Sequence, residues 1–347
     1  MRGRVAVRFR GALLILLSCC VLSAQPGEDP QAQYNRGTDY WYGNGVPQDY
    51  VQAASWFRKA AERGYAEAQY RLGQMLAIGQ GIRKDETEAA TWYRKAAEQG
   101  EARAQYNLGT MYVFGKGVAR DYAEAVQWFR KGADQGHVEA QYNLGVSFRD
   151  GQGVAQDFHQ ALTWFAKAAD QGYSAAQFMM GSMYADGEGV PKDPSQALIW
   201  FRKSADQMYP PAEFNMGVLY MTGAGVPRDL EQAVEWYRKA AEGGLPQAQN
   251  ALRTVAGTGL PTAQHVLGMT YENGWGSVTI EPEAVYWYRK AAEQGYPPAE
   301  YDLGRMLADG RGVRKNEVEA EAWFRRAAEK GIPEAQTRLD TLGASNR

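Results

Sequence analysis

Apolar residues recur along this chain in two alternating stripes that repeat about every 36 positions. In one stretch the first stripe is Ala68, Leu72, Met75 and Leu76, the i, i+4, i+7, i+8 spacing of an amphipathic helix. Gly79 and Gly81 interrupt it, and a glycine just past a helix accepts the left-handed backbone that closes the last turn. Asp85 then opens a second stripe, Ala89, Trp92, Tyr93, Ala96 and Ala97, which stops at Gly100. Asp85 with Glu88 reads as a capping box, the carboxylate accepting from the orphan amides of the first turn. The pairing recurs as Asp49/Gln52, Asp121/Glu124, Asp157/Gln160, Asp193/Gln196 and Asp229/Gln232. Each stretch therefore predicts an antiparallel helix pair with a glycine-bearing loop inside and a short turn to the next copy.

The pattern is written eight times, beginning at Ala32, Ala68, Ala104, Ala140, Ala176, Ala212, Ala263 and Ala299. A fixed period of this length marks stacked units, because one helix pair cannot bury its apolar face alone. The expected fold class is all-α, an α-solenoid of helix pairs. Residues 32–247 hold six copies, 248–262 a truncated copy, 263–334 two more, and 335–347 a capping helix (Ala335, Arg338, Leu339, Leu342) with its tail. One short helix is expected in place of the missing pair, bending the array at that joint and dividing it into a six-copy and a two-copy block.

Two rows of fixed residues have packing reasons. A glycine inside the first helix recurs as Gly37, Gly73, Gly109, Gly145, Gly181, Gly217, Gly268 and Gly304. Each disfavours the helix by about 1 kcal/mol relative to alanine, so another helix is expected to approach closely there, with a tryptophan over the glycine. The tryptophans in step with them (Trp56, Trp92, Trp128, Trp164, Trp200, Trp236, Trp287 and Trp323) read as core.

The pattern resembles the Sel-1-like repeat family, relatives of the tetratricopeptide repeats. The matching words are A-x-x-x-L-G, the G-x-G-V loop, D-x-x-x-A and W-[YF]-R-K-A-A-E-x-G, over about Ala32 to Glu334. The resemblance implies a right-handed superhelix and an adaptor or scaffold role, in bacteria often on exported proteins. A disulfide-stapled branch of that family does not fit, since no copy contains a cysteine.

The N-terminus changes where such a scaffold is expected to act. Arg2, Arg4, Arg8 and Arg10 precede an apolar run from Gly11 to Leu22, and Leu22-Ser23-Ala24 resembles a cleavage site. Residues 1–24 thus have the layout of a secretory signal peptide, too short for a comfortable membrane span, with 25–31 a disordered lead-in. Both cysteines, Cys19 and Cys20, lie inside it. Leu16-Leu17-Ser18-Cys19 loosely resembles a lipoprotein box, the less favoured reading. Loss of the four leader arginines would take the formal net charge from −2 to −6, which gives no electrostatic footprint for nucleic acid. The expected product is exported, periplasmic or secreted, monomeric, and without a membrane span in its mature chain.

Catalytic signals are weak. His137, His159 and His265 occupy non-equivalent positions without partners at zinc-ligand spacing. The G-x-G pairs lack a preceding strand and a following Lys-Ser/Thr, so they read as helix closures rather than phosphate loops. Asp186-Gly187-Glu188-Gly189 lacks the full calcium-loop pattern. No enzyme activity, cofactor or metal is expected. The candidate partner-binding residues lie where copies differ. The fourth position reads Asn35, Arg71, Asn107, Asn143, Met179, Asn215, Val266 and Asp302. Asparagine amides donate and accept at once, so this row is either a ladder for an extended peptide or a set of bonds that tie the stack together. The first copy has Arg36 and Asp39 where most later copies have Leu or Met, and since its inner face cannot stack well on anything before it, it reads as a capping unit. Its Tyr40, Trp41 and Tyr42 either cover the open core or form a contact patch. The expected function is an exported adaptor of the bacterial cell envelope that binds a protein or peptide on the concave face. The alternatives are a component of polysaccharide export, a cell-wall-associated factor or a secreted host-interaction protein.

Overall fold

The computed structural model describes residues 29–345, so the leader, Cys19 and Cys20 lie outside the described residues. The described residues form eighteen helices and no strand. The chain divides into two compact units, Met1–Ala96 and Ala97–Arg347.

The first unit holds α1 (Pro30–Tyr42), α2 (Tyr50–Glu62), α3 (Ala66–Ile78) and most of α4 (Glu86–Glu98). Asp29 caps α1 and Pro30 is its first residue, so the expected lead-in ends two residues earlier than position 31. A proline fits there because that amide has no intrahelical partner.

The second unit continues with α5 (Ala102–Phe114), α6 (Tyr122–Asp134), α7 (Val138–Asp150), α8 (Phe158–Asp170), α9 (Ser174–Asp186), α10 (Pro194–Ala205), α11 (Pro210–Thr222) and α12 (Leu230–Glu242). Then follow α13 (Pro246–Ala256), α14 (Pro261–Asn273), α15 (Glu281–Glu293), α16 (Pro297–Asp309), α17 (Glu317–Glu329) and α18 (Pro333–Ser345). From α5 to α18 each helix packs on the next, as the period requires. The single helix α13 stands at the truncated copy, and α12 reaches past it to touch α14. One apolar cluster runs from Ala233 on α12 through Leu252 and Val255 on α13 to Ala335 on α18. The capping helix begins at Pro333, two residues before the expected start.

The aspartates cap as expected. Asp121, Asp157, Asp193 and Asp229 each accept from two first-turn amides. The reciprocal arm of the box is spent otherwise at Glu88, whose carboxylate binds Arg58 at 2.6 Å and the Trp92 indole at 3.1 Å.

The ring over the helical glycine is not the tryptophan but the aromatic residue after it. A Cβ on Gly37 would sit 2.6 Å from the Phe57 ring, and one on Gly145 2.7 Å from Phe165. These rings are fully buried. The tryptophans lie at the rim of the core: Trp92, Trp128, Trp164 and Trp236 are buried and the other four half-buried. A lysine three residues on covers six of them, at 3.8–4.2 Å from ammonium to ring centre, so the indole keeps a cation–π contact at the wet edge.

The loop glycines take the left-handed backbone that the sequence predicts, and one of them is also closely packed. Gly153 takes φ +72, and a Cβ there would lie 2.1 Å from the Tyr122 carbonyl oxygen, so no side chain fits. Met208 stands where the closing glycine is missing and adopts φ 57, the non-glycine residue with positive φ among the described residues.

Candidate functional site

In the first unit the aromatic cluster separates into core and surface. Trp41 is half-buried, edge-on to Tyr50 at 5.1 Å and beside the Arg71 guanidinium at 5.9 Å. Tyr42 is 58% exposed, as is the apolar Ile78 at 62% on the equivalent last position of α3. Asn35 is exposed on α1 and Arg71 half-buried, its guanidinium bonding Gln74 at 3.1 Å.

In the second unit the fourth-position row breaks into three chemistries. Asn107, Asn143 and Asn215 are half-buried on α5, α7 and α11. Met179 and Val266 are buried. Asp302 is taken by His265 at 2.9 Å and by Arg305 at 3.2 Å. Asn143 lines a cavity of about 340 Å³ between α5 and α7, with Tyr106, Thr110 and Val146 on its walls and Phe129 behind. Asn215 lines a second one of about 210 Å³ between α9 and α11, with Ser182, Val218 and Phe201 in the matching places. The two grooves are thus one design used twice: an amide and small polar groups over an aromatic floor.

The polar residue that ties the stack is the glutamine two positions earlier, which the sequence reading passed over. Gln105, Gln141, Gln177 and Gln264 are buried and donate to the carbonyls of Ala97, Ala133, Ala169 and Ala256 at 3.0–3.3 Å. Each also accepts from a glutamine thirty residues on: Gln135, Gln171, Gln207 and Gln294, at 2.7–2.8 Å. In the first unit Gln69 repeats the bond to Ala61 at 3.1 Å. The signal was present as the Gln of the Ala-Gln-Tyr word, which gives way to Glu213 and Glu300 in two copies.

The histidines serve packing. His137 stacks on Tyr106 at 5.2 Å, and burial pulls its imidazole below the ordinary range although Glu139 opposes this. His159 is exposed in the first turn of α8. His265 is buried in a network with Asp302, Arg305 and Glu272. Burial alone would raise Glu272, but hydrogen bonds from Arg305 and Tyr288, both at 2.7 Å, hold its carboxyl below the usual range. Among the described residues no group of three or more His, Cys, Asp or Glu is placed to hold a metal ion. No described helix is long and apolar enough to cross a membrane.

The Sel1 repeat family model matches residues 30–65, 66–101, 102–137, 138–173, 174–207, 210–245, 261–296 and 297–332. The chain is similar to the structure of a protective antigen present in uropathogenic Escherichia coli strains and displaying an SLR fold. Identity is 36% and the TM-score 0.61, over 89% of this chain and 71% of that one. It is also similar to a Sel1 repeat protein from Oxalobacter formigenes, at 33% identity and TM-score 0.56, over 91% and 88%. Comparison with curated proteins gives no match.

Proposed function

This chain belongs to the Sel1 repeat family, and from that premise we propose that it is an exported adaptor that holds an extended polypeptide along the first helices of its copies. Sel1 repeats generally mediate protein–protein interaction on a scaffold that is generally non-catalytic. The observation that carries the finer reading is the division of labour between two amide rows. The buried glutamines already satisfy the stack. Asn143 and Asn215 are left lining grooves with an aromatic floor, where one amide can donate to and accept from a peptide backbone. Asn107 holds the same register on α5; Asn35, Arg71, Trp41 and Tyr42 present the corresponding chemistry in the first unit.

The test begins with peptides selected for binding to the full mature chain. The double variant Asn107→Ala/Asn143→Ala should weaken their capture about tenfold or more, the loss of one to two good hydrogen bonds. Melting should stay within about 0.5 kcal/mol. Reduced stability with unchanged capture per folded molecule sinks the ladder.

Export rests on the basic, apolar and small-residue order of residues 1–24, and the similarity to a bacterial protective antigen supports it. Mass spectrometry of the mature N-terminus decides the form. A start at Gln25 gives a freely exported periplasmic or secreted protein, whereas a lipidated Cys19 gives an anchored one.

A further inference from the structure

The glutamine row changes chemistry in two copies, and only one of the two changes is compensated. In the copy at Ala299 the buried acceptor is Glu300, and the residue thirty places on is Lys330. Its ammonium sits 2.7 Å from the Glu300 carboxylate, joined by Arg326 at 2.9 Å. In the copy at Ala212 the acceptor is again a glutamate, Glu213, but the residue thirty places on is Gly243. The donor that Gln135, Gln171, Gln207, Gln294 and Lys330 supply to their acceptors is missing.

Glu213 is only 5% exposed, and among the described residues its carboxylate has no hydrogen-bond or ion-pair partner. It lines an open cavity of about 560 Å³ with Ala205, Asp206, Met208, Trp236 and Gly243. The cations on the walls are engaged elsewhere. Arg238 is held by Glu235 and Glu242, and the Lys239 ammonium lies over Trp236 at 4.2 Å. Arg202 also lies over the Trp236 ring, at 4.9 Å. Burial pushes the Glu213 carboxyl up, only partly offset by Lys239, as expected of a buried acid without a partner.

We propose that this cavity is a socket for a primary ammonium on a flexible alkyl stem, the lysine side chain of a partner polypeptide, which docks on Glu213 as Lys330 docks on Glu300. Ala205 and Met208 supply an apolar wall for the stem, and the carboxylate supplies a charge-assisted acceptor for the head. The socket rests on the adaptor reading but lies between α10, α11 and α12, away from the groove that holds Asn143. Failure of the asparagine test therefore leaves it standing, and the reverse also holds.

The test uses the full mature chain with its methionine methyls ¹³C-labelled. The Met208 resonance, assigned with Met208→Leu, is followed while N-acetyl-lysine-N-methylamide is added to tens of millimolar. A saturable shift is expected, absent with the norleucine analogue that lacks the ammonium. It should weaken about tenfold or more in Glu213→Gln, a loss of at least one charge-assisted bond. The proposal is overturned by no shift in the parent chain, by an equal shift with norleucine, or by an unchanged shift in a folded Glu213→Gln. Tighter binding of putrescine than of the lysine derivative would also overturn it, by moving the ligand from a polypeptide to a free polyamine.

Discussion

Gly145 and Phe165 show how tightly one residue pair sets the spacing of a helix pair. Alanine favours a helix over glycine by about 1 kcal/mol, so Gly145→Ala should stabilise if the site were open. A Cβ there would lie 2.7 Å from the Phe165 ring, which is fully buried and cannot swing away. Overpacking of this kind costs about 1–3 kcal/mol, so Gly145→Ala should lower the urea midpoint of the chain. An increase would show that the helices separate freely. Met208 is the opposite case. Its left-handed backbone costs a non-glycine residue about 1–2 kcal/mol, and glycine returns about half of that through chain entropy. Met208→Gly should therefore raise stability by less than about 1 kcal/mol, read by thermal melting, because the side chain is 81% exposed and contributes little packing.

Helix pairs are joined through the amide row, and its two chemistries make a prediction about exchange. Gln264 with Gln294 and Glu300 with Lys330 occupy the same two places, at the same 2.7 Å. Glu300 is fully buried, so removing its donors leaves a charge unpaired, a change that costs about 3–5 kcal/mol at a fully buried site. Lys330 is itself 37% exposed, and Arg326 remains, so Lys330→Ala should destabilise by about 1–2 kcal/mol. The double change Glu300→Gln/Lys330→Gln should restore most of that, measured by chemical denaturation. A double variant as weak as the single would mean that the two pairs are not equivalent. The helices, their aspartate caps and their glycine stops were legible because each rests on local spacing. The roles of Gln141 and Phe165 were not, because a repeated residue shows that it packs but not against what. The fourth-position row was legible as a variable surface, while the capture of Asp302 by His265 came from a neighbour 37 residues away.

Within the unit from Ala97 onward the apolar cluster that runs from α12 to α18 encloses one charged network. It joins Glu272, Tyr288, Arg305, Arg311, Asp302 and His265 across two copies. No local pattern announces it, since its members sit at six different repeat positions and meet only through stacking. Glu272 has a side chain 7% exposed, with both oxygens bonded. Its carboxyl is held below the ordinary range, against burial, by Arg305 and Tyr288, so the folded chain binds fewer protons here than the unfolded chain. That stability is present above the unfolded value of about 4.3 and is lost as pH falls through the lower folded value. Glu101 and Glu235 act in the same direction, each held down by a neighbouring arginine, with burial opposing it most strongly at Glu101. Glu213 acts in the opposite one, its raised carboxyl adding stability that is lost as pH rises. The unfolding free energy should therefore decline below about pH 4–5, the window set by the unfolded carboxyls. Glu272→Gln should lower stability at neutral pH and flatten that acid limb, whereas Glu213→Gln should raise neutral stability and leave the acid limb steep. Denaturant melts from pH 3 to 8 on the two variants separate these outcomes, and an acid limb unchanged by Glu272→Gln would remove this network from the acid response.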